Sequence, residues 1–190
     1  MDIRLANVPK ESYNDYRLDV IFEGYKWDLQ ETYGSGTICD KVVLMGAAEA
    51  AFLAEQAVLL YHETVQMERE LKKHPNLVLE MGISQEMTDA LCKCEYNPAE
   101  HVRFMRFDFH PTKDGWRISE VNSDVPAGYP ESSVLPALAA PYFENYKQYG
   151  CFGDVFAKRL SALLPAGANI TYIHDTHTVE DYQILHYLGD

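Results

Sequence analysis

The chain has 190 residues, 47% of them hydrophobic, and its 16 Lys and Arg stand against 29 Asp and Glu for a net charge of −13. Thirteen Tyr, eight Phe and two Trp supply the apolar surface of one full domain, or of part of a larger enzyme, and exclude a disordered chain. The acidic balance opposes a nucleic-acid backbone, and no apolar run approaches the roughly 20 residues of a membrane span.

The N-terminal residues are too polar for a secretory signal, and Cys39, Cys92, Cys94 and Cys151 read as reduced thiols, so a cytoplasmic location is expected. From Tyr16 to Gly36 the aromatic, mixed composition predicts short strands or loops packed on a larger body. Ala47 to Lys73 carries the strongest helical pattern, with Phe52, Leu53, Leu59, Leu60, Val65, Met67 and Leu71 at roughly helical spacing, and His74-Pro75 ends it. Glu80 to Ile83 reads as a link, after which Ser84 caps a short helix over 85–93. His101–Phe109 and Trp116–Asn122 are aromatic, alternating runs around Pro111–Gly115, the pattern of a β-hairpin with a longer loop. Ser123–Ser133 is loop-like, Leu135–Tyr149 and Asp154–Leu164 read as helices, and Asn169–His174 reads as a buried strand. A helix over Val179–Leu188 follows, with Thr178 as its cap and Gly189 just past it.

Arg106, Asp108, Glu120 and Asn122 carry the chemistry. Asp108 and Glu120 lie equally far from Asp114, as do Arg106 and Asn122, so a hairpin centred there opposes each pair and points all four side chains the same way. Met105, Phe107, Phe109 and Val121 fall on the other face, the predicted core side. Two carboxylates directly opposed across a ladder repel, and a cation between them relieves the repulsion. Mg²⁺ takes such oxygen ligands, Asn122 adds a neutral one, and Arg106 is a permanent cation for phosphate. A solvent-facing Arg–Asp–Glu network on an antiparallel sheet accounts for the same residues without any ligand. Cys92-Lys93-Cys94 has no second cysteine pair to complete a zinc site, and His174–His177 reads as a loop leading into a helix.

Arg106-x-Asp108, then Glu120-x-Asn122-x-Asp124-x-Pro126, resembles the glutathionylspermidine synthase family of circularly permuted ATP-grasp ligases. The upstream order is also similar: Tyr25, Trp27 and Asp28, then a long helix, then Met81–Ser84. The resemblance implies that Asp108, Glu120 and Asn122 bind Mg²⁺ and that Asp108 also meets the ATP cofactor. It implies that Arg106 contacts the transferring phosphoryl group as the catalytic cation, and that Asp124, Ser132 and Ser133 lie beside the substrate carboxylate. The implied reaction is phosphorylation of a small-molecule or peptide carboxylate by ATP, followed by attack of an amine. Ala127-Gly128-Tyr129-Pro130 departs from the family pattern, which points to a different acyl substrate.

The expected fold is α/β with α+β character: an antiparallel hairpin-containing sheet flanked by helices, then the start of a second α/β unit. The expected division is an ATP-grasp-like part over 1–150 with the long helix and metal-site hairpin, and a truncated pre-ATP-grasp unit over 151–190. The family's nucleotide-gripping lysines and lid would lie downstream, so this chain is expected to be an incomplete enzyme. Two other classes fit less of the pattern. A metal-dependent nuclease wants Lys where Asn122 stands, and a degenerate, non-catalytic ATP-grasp-like module would bind a partner instead.

Overall fold

The structure, a computed structural model, describes residues 1–27, 31–33, 35–95, 103–123 and 126–189, with backbone only at 31, 32 and 35. In chain order the elements are β1 (Ile3–Asn7), α1 (Tyr13–Phe22), β2 (Glu31–Thr32), β3 (Ser35–Gly36), β4 (Lys41–Met45), α2 (Ala47–Leu71), α3 (Pro75–Glu80) and α4 (Gln85–Lys93). They continue with β5 (Arg106–Thr112), β6 (Gly115–Asn122), α5 (Tyr129–Ser133), α6 (Leu135–Ala139), a 3₁₀ turn (Ala140–Tyr142), α7 (Phe152–Leu163) and α8 (Val179–Gly189). The fold is mixed α/β, with small antiparallel strand pairs β1–β4, β2–β3 and β5–β6 flanked by helices. The chain divides into two compact units, Met1–Gly46 with Val125–Asp190, and Ala47–Asp124. Among the described residues no helix is long and apolar enough to cross a membrane.

In the first unit, Val8, Tyr16, Val20, Ile38 and Ala139 form the core. The strands and loops expected from Tyr16 onward are corrected at their start, where Tyr13–Phe22 is helical. Aromatic content favours strands, but Tyr13, Tyr16 and Val20 recur at helical spacing, and burying that stripe against Leu135, Leu138 and Tyr142 decides the local structure. The Tyr13 hydroxyl donates to the Ile38 carbonyl at 2.6 Å. The loop expected over Ser123–Ser133 ends in α5, and Gly128 takes the left-handed conformation (φ 95°) just before it.

Leu135–Tyr149 is not one helix. Pro136 opens α6, and Pro141, having no N–H to continue the ladder, turns the chain into 3₁₀ geometry. Asn169–His174 forms no strand: Ile173 is 93% exposed, and no described strand pairs with the segment to satisfy its backbone. The helices expected over 154–164 and 179–188 are present as α7 and α8. Tyr25 and Trp27 pack on α8, where the Trp27 and His186 rings lie 5.0 Å apart and Tyr25 stacks on His186 at 6.4 Å.

Helices α5, α7 and α8 meet at Ser133, Gly153 and Tyr187. The buried Ser133 Oγ accepts the Gly153 N–H at 3.0 Å, and the Tyr187 hydroxyl sits only 1.7 Å from where a Cβ on Gly153 would stand. Gly153→Ala is expected to destabilise the chain by about 1–3 kcal/mol through overpacking. In a Tyr187→Phe background the loss shrinks, because the closest atom has gone; urea unfolding of the four forms measures both values.

In the second unit, α2 runs 25 residues and stops before Pro75. Val65 is its buried residue, whereas Phe52, Leu59 and Met67 of the predicted stripe are exposed. Between α2 and the link expected at Glu80–Ile83 stands a further helix, α3, which Pro75 initiates at its first position, where no N–H is needed. Ser84 caps α4 as predicted, its Oγ accepting the Met87 N–H at 3.2 Å. Thr88 of α4 is fully buried, and among the described residues its hydroxyl has no hydrogen-bond partner. Thr88→Val removes that unsatisfied group at almost constant shape and helix propensity. A gain of about 1 kcal/mol is expected in urea titration.

Candidate functional site

The hairpin β5–β6 is built around a tighter turn than the loop expected over Pro111–Gly115. Thr112 pairs with Gly115, leaving Lys113 and Asp114 as the turn residues. Neither has positive φ, so the chain reversal falls on Gly115 at φ 96°. The Thr112 hydroxyl braces the turn, accepting the Asp114 N–H at 3.2 Å and donating to the Gly115 carbonyl at 2.6 Å. Pro111 is accommodated inside the ladder because a two-stranded sheet has only edge strands. His101 and Val102, where the first strand was expected to begin, lie outside the described residues, and β5 starts at Arg106.

Asp108 opposes Glu120, and Arg106 opposes Asn122, as the sequence predicts. The ladder is not regular, however: its register shifts by one residue between Asp108 and Phe109. Phe107, Phe109 and Pro111 therefore pair with Val121, Ile118 and Trp116 on the apolar face. Arg106, Asp108 and His110 pair with Asn122, Glu120 and Arg117 on the polar face. The predicted core side is only partly covered, since Phe107 and Phe109 are half-buried while Ile118 and Val121 are each 39% exposed. The Trp116 indole N–H donates to Glu49 of α2, and Arg103 makes a bidentate ion pair with Glu68, so both ends of the hairpin are tied to the long helix.

On the polar face Arg106 closes on Asp108. Its Nε donates to Oδ1 at 2.8 Å and its Nη2 to Oδ2 at 3.2 Å. Hydrogen bonding and charge from the guanidinium, with a smaller contribution from His110, hold the Asp108 carboxyl below the ordinary aspartate range. Both side chains remain partly solvated, so the pair adds little stability. Glu120 is exposed and Asn122 half-buried.

Two carboxylates and an amide oxygen form a hard donor set, which fits Mg²⁺: that ion is held through one or two carboxylates and substrate phosphates rather than a full protein cage. Among the described residues no group of three His, Cys, Asp or Glu gathers around a metal position. Asp124 lies outside the described residues. Ser132 is exposed and donates to the Tyr129 carbonyl at 3.1 Å, whereas Ser133 is buried and occupied by the Gly153 N–H. His110 and Ser119 enter the picture only with the structure, their side chains meeting at 2.6 Å beside the register shift. The sequence holds one sign of that shift: apolar residues in β6 fall at Trp116 and Ile118, then change parity to Val121.

The chain is mixed α/β and sets two opposed carboxylates beside an arginine on one face of a hairpin. The chain belongs to the glutathionylspermidine synthase pre-ATP-grasp family, whose model matches residues 8–190. That membership relates it to a ligase. No curated protein and no solved structure matches the chain.

Replacing Arg106 by Gln should raise the Asp108 pKa toward its ordinary value, which carboxyl-carbon NMR titration reads directly. The sign follows from the lowered folded value. Asp108 contributes stability above the ordinary aspartate range and loses it as pH falls through that lowered value; Arg106→Gln removes this acid dependence.

Proposed function

We propose that this chain supplies the magnesium- and phosphate-binding hairpin of an ATP-dependent carboxylate–amine ligase acting through an acyl phosphate. The observation that carries the reading is the opposition of Asp108 and Glu120 on one face, with Arg106 and Asn122 opposed beside them. Asp108, Glu120 and Asn122 would hold Mg²⁺, whose chemistry is to offset charge on the ATP phosphates during phosphoryl transfer. Arg106 orients the transferring group and balances its charge, and its planar fork suits phosphate oxygens as well as it suits the Asp108 carboxylate. The substrates in this reading are a small-molecule or peptide carboxylate and an amine, with the product an amide. A carboxylate is a poor acyl donor until phosphate becomes its leaving group, which is why ATP enters before the amine. Asp124 and Ser132 remain the proposed contacts to the carboxylate substrate, whereas Ser133 is buried and accepts the Gly153 N–H. The 1–150 and 151–190 division of labour belongs to the same reading, as does a cytoplasmic setting.

A non-catalytic binding module is the second reading. It is favoured by the bidentate closure of Arg106 on Asp108, which neutralises that carboxylate without a metal.

Calorimetric titration of a non-hydrolysable ATP analogue, with magnesium and with EDTA, separates the two. Under the ligase reading Asp108→Asn and Glu120→Gln each weaken magnesium-dependent binding by at least about tenfold, as expected when a ligand carboxylate is lost. Affinity that is equal with magnesium and EDTA, and unmoved by both substitutions, would leave the binding-module reading standing.

A further inference from the structure

The register of the hairpin changes once, and the change decides which side chains meet. From the turn, Thr112, Pro111, His110 and Phe109 pair in order with Gly115, Trp116, Arg117 and Ile118. Continued without interruption, that register would set Asp108 against Ser119 and Phe107 against Glu120. Glu120 would then lie on the apolar face, away from Asp108, because a one-residue slip moves every side chain to the opposite side. The observed ladder instead resumes with Asp108 opposite Glu120 and Phe107 opposite Val121. Ser119 is the surplus residue between the two registers, a β-bulge of the kind that re-aims a neighbouring side chain. Its hydroxyl lies 2.6 Å from Nε2 of His110, which belongs to the same face as Asp108.

A ladder continued instead from the Asp108–Glu120 register toward the turn fails differently. It would place Trp116 and Ile118 on the face of Asp108, although Trp116 reaches Glu49 of α2 from the apolar side. The apolar residues of β6 and its polar ones therefore demand different registers, and only a surplus residue at 119 serves both.

We propose, building on the reading of Asp108, Glu120 and Asn122 as cation ligands, that His110 and Ser119 are positioning residues whose hydrogen bond pins the bulge and so holds Glu120 across from Asp108. Neither touches the cation or phosphate; both act through Glu120.

The test uses the full chain and two readouts. Nuclear Overhauser contacts between the backbones of Asp108 and Glu120 report the register, and calorimetry with magnesium and a non-hydrolysable ATP analogue reports the site. His110→Ala and Ser119→Ala should each diminish the cross-strand contact and weaken magnesium-dependent binding about tenfold, the scale of lost support to a metal ligand. The double substitution should be no worse than either single one, and Ser119→Thr, which keeps the hydroxyl, should restore both readouts. Deleting Ser119 removes the surplus residue, so every observed pair survives in one regular ladder. In that background His110→Ala should be silent. Unchanged cross-strand contacts in His110→Ala and Ser119→Ala, or additive losses in the double variant, overturn the proposal. If the variants lose the contact while no form binds the magnesium–nucleotide probe, the positioning role stands and the ligase reading falls.

Discussion

Asp108 and Glu120 face one another across a two-stranded ladder, and this like-charge opposition is the constraint around which the hairpin is arranged. Repulsion between them favours any slip that separates them, and among the described residues neither strand has a second neighbour to resist a slip. Several local features act against it. The Thr112 hydroxyl fixes the turn, Gly115 supplies the positive φ that the reversal needs, and the apolar pairs of the other face set the register near the turn. Arg106 then neutralises one of the two charges through both carboxylate oxygens, leaving Glu120 as the more exposed member. Anchors to α2 from Trp116 and Arg103 hold the two ends. The two opposed carboxylates are thus the residues that would, unassisted, pull the ladder apart.

The sequence made the centre of this site legible and hid its edges, for reasons that differ by residue. Symmetry about Asp114 gave both polar pairs correctly, because the ladder beyond the bulge happens to keep that centre. The tight turn and the surplus Ser119 were missed together. A longer loop imitates a bulge when only the polar residues are counted, and the change of apolar parity from Ile118 to Val121 was the available clue. Ser84 and the long helix were readable because capping and helical spacing are local. Helix α1 was obscured by its aromatic composition, whereas Leu135–Tyr149 has a helix-like composition that Pro136 and Pro141 break up in the chain. Ile170 and Ile173 have strand-like neighbours in sequence, but strand formation depends on a partner that local sequence does not reveal. Ser133 shows the same limit for function: a hydroxyl beside a candidate substrate loop is, in the fold, a buried acceptor for Gly153.

The closed Arg106–Asp108 pair also bears on what kind of ligand this face can accept. A bare cation satisfies Asp108 but must either displace the guanidinium or sit beside it, so the gain at one partner is offset by repulsion from the other. A free phosphate meets the converse problem, with Asp108 and Glu120 opposing it, and the net charge of −13 adds to that barrier. A metal–phosphate complex carries both charges at once. In the proposed ligase reading the carboxylates would take the metal while Arg106 turned its fork from carboxylate to phosphate, exchanging one charge-assisted contact for another of similar geometry. In the proposed ligase reading, these electrostatics would disfavour either ion by itself and favour their complex, the form in which a ligase meets ATP. In that reading the pairing that satisfies Asp108 without a ligand would also supply selectivity for the loaded nucleotide, and the two readings of the hairpin part over whether that exchange takes place.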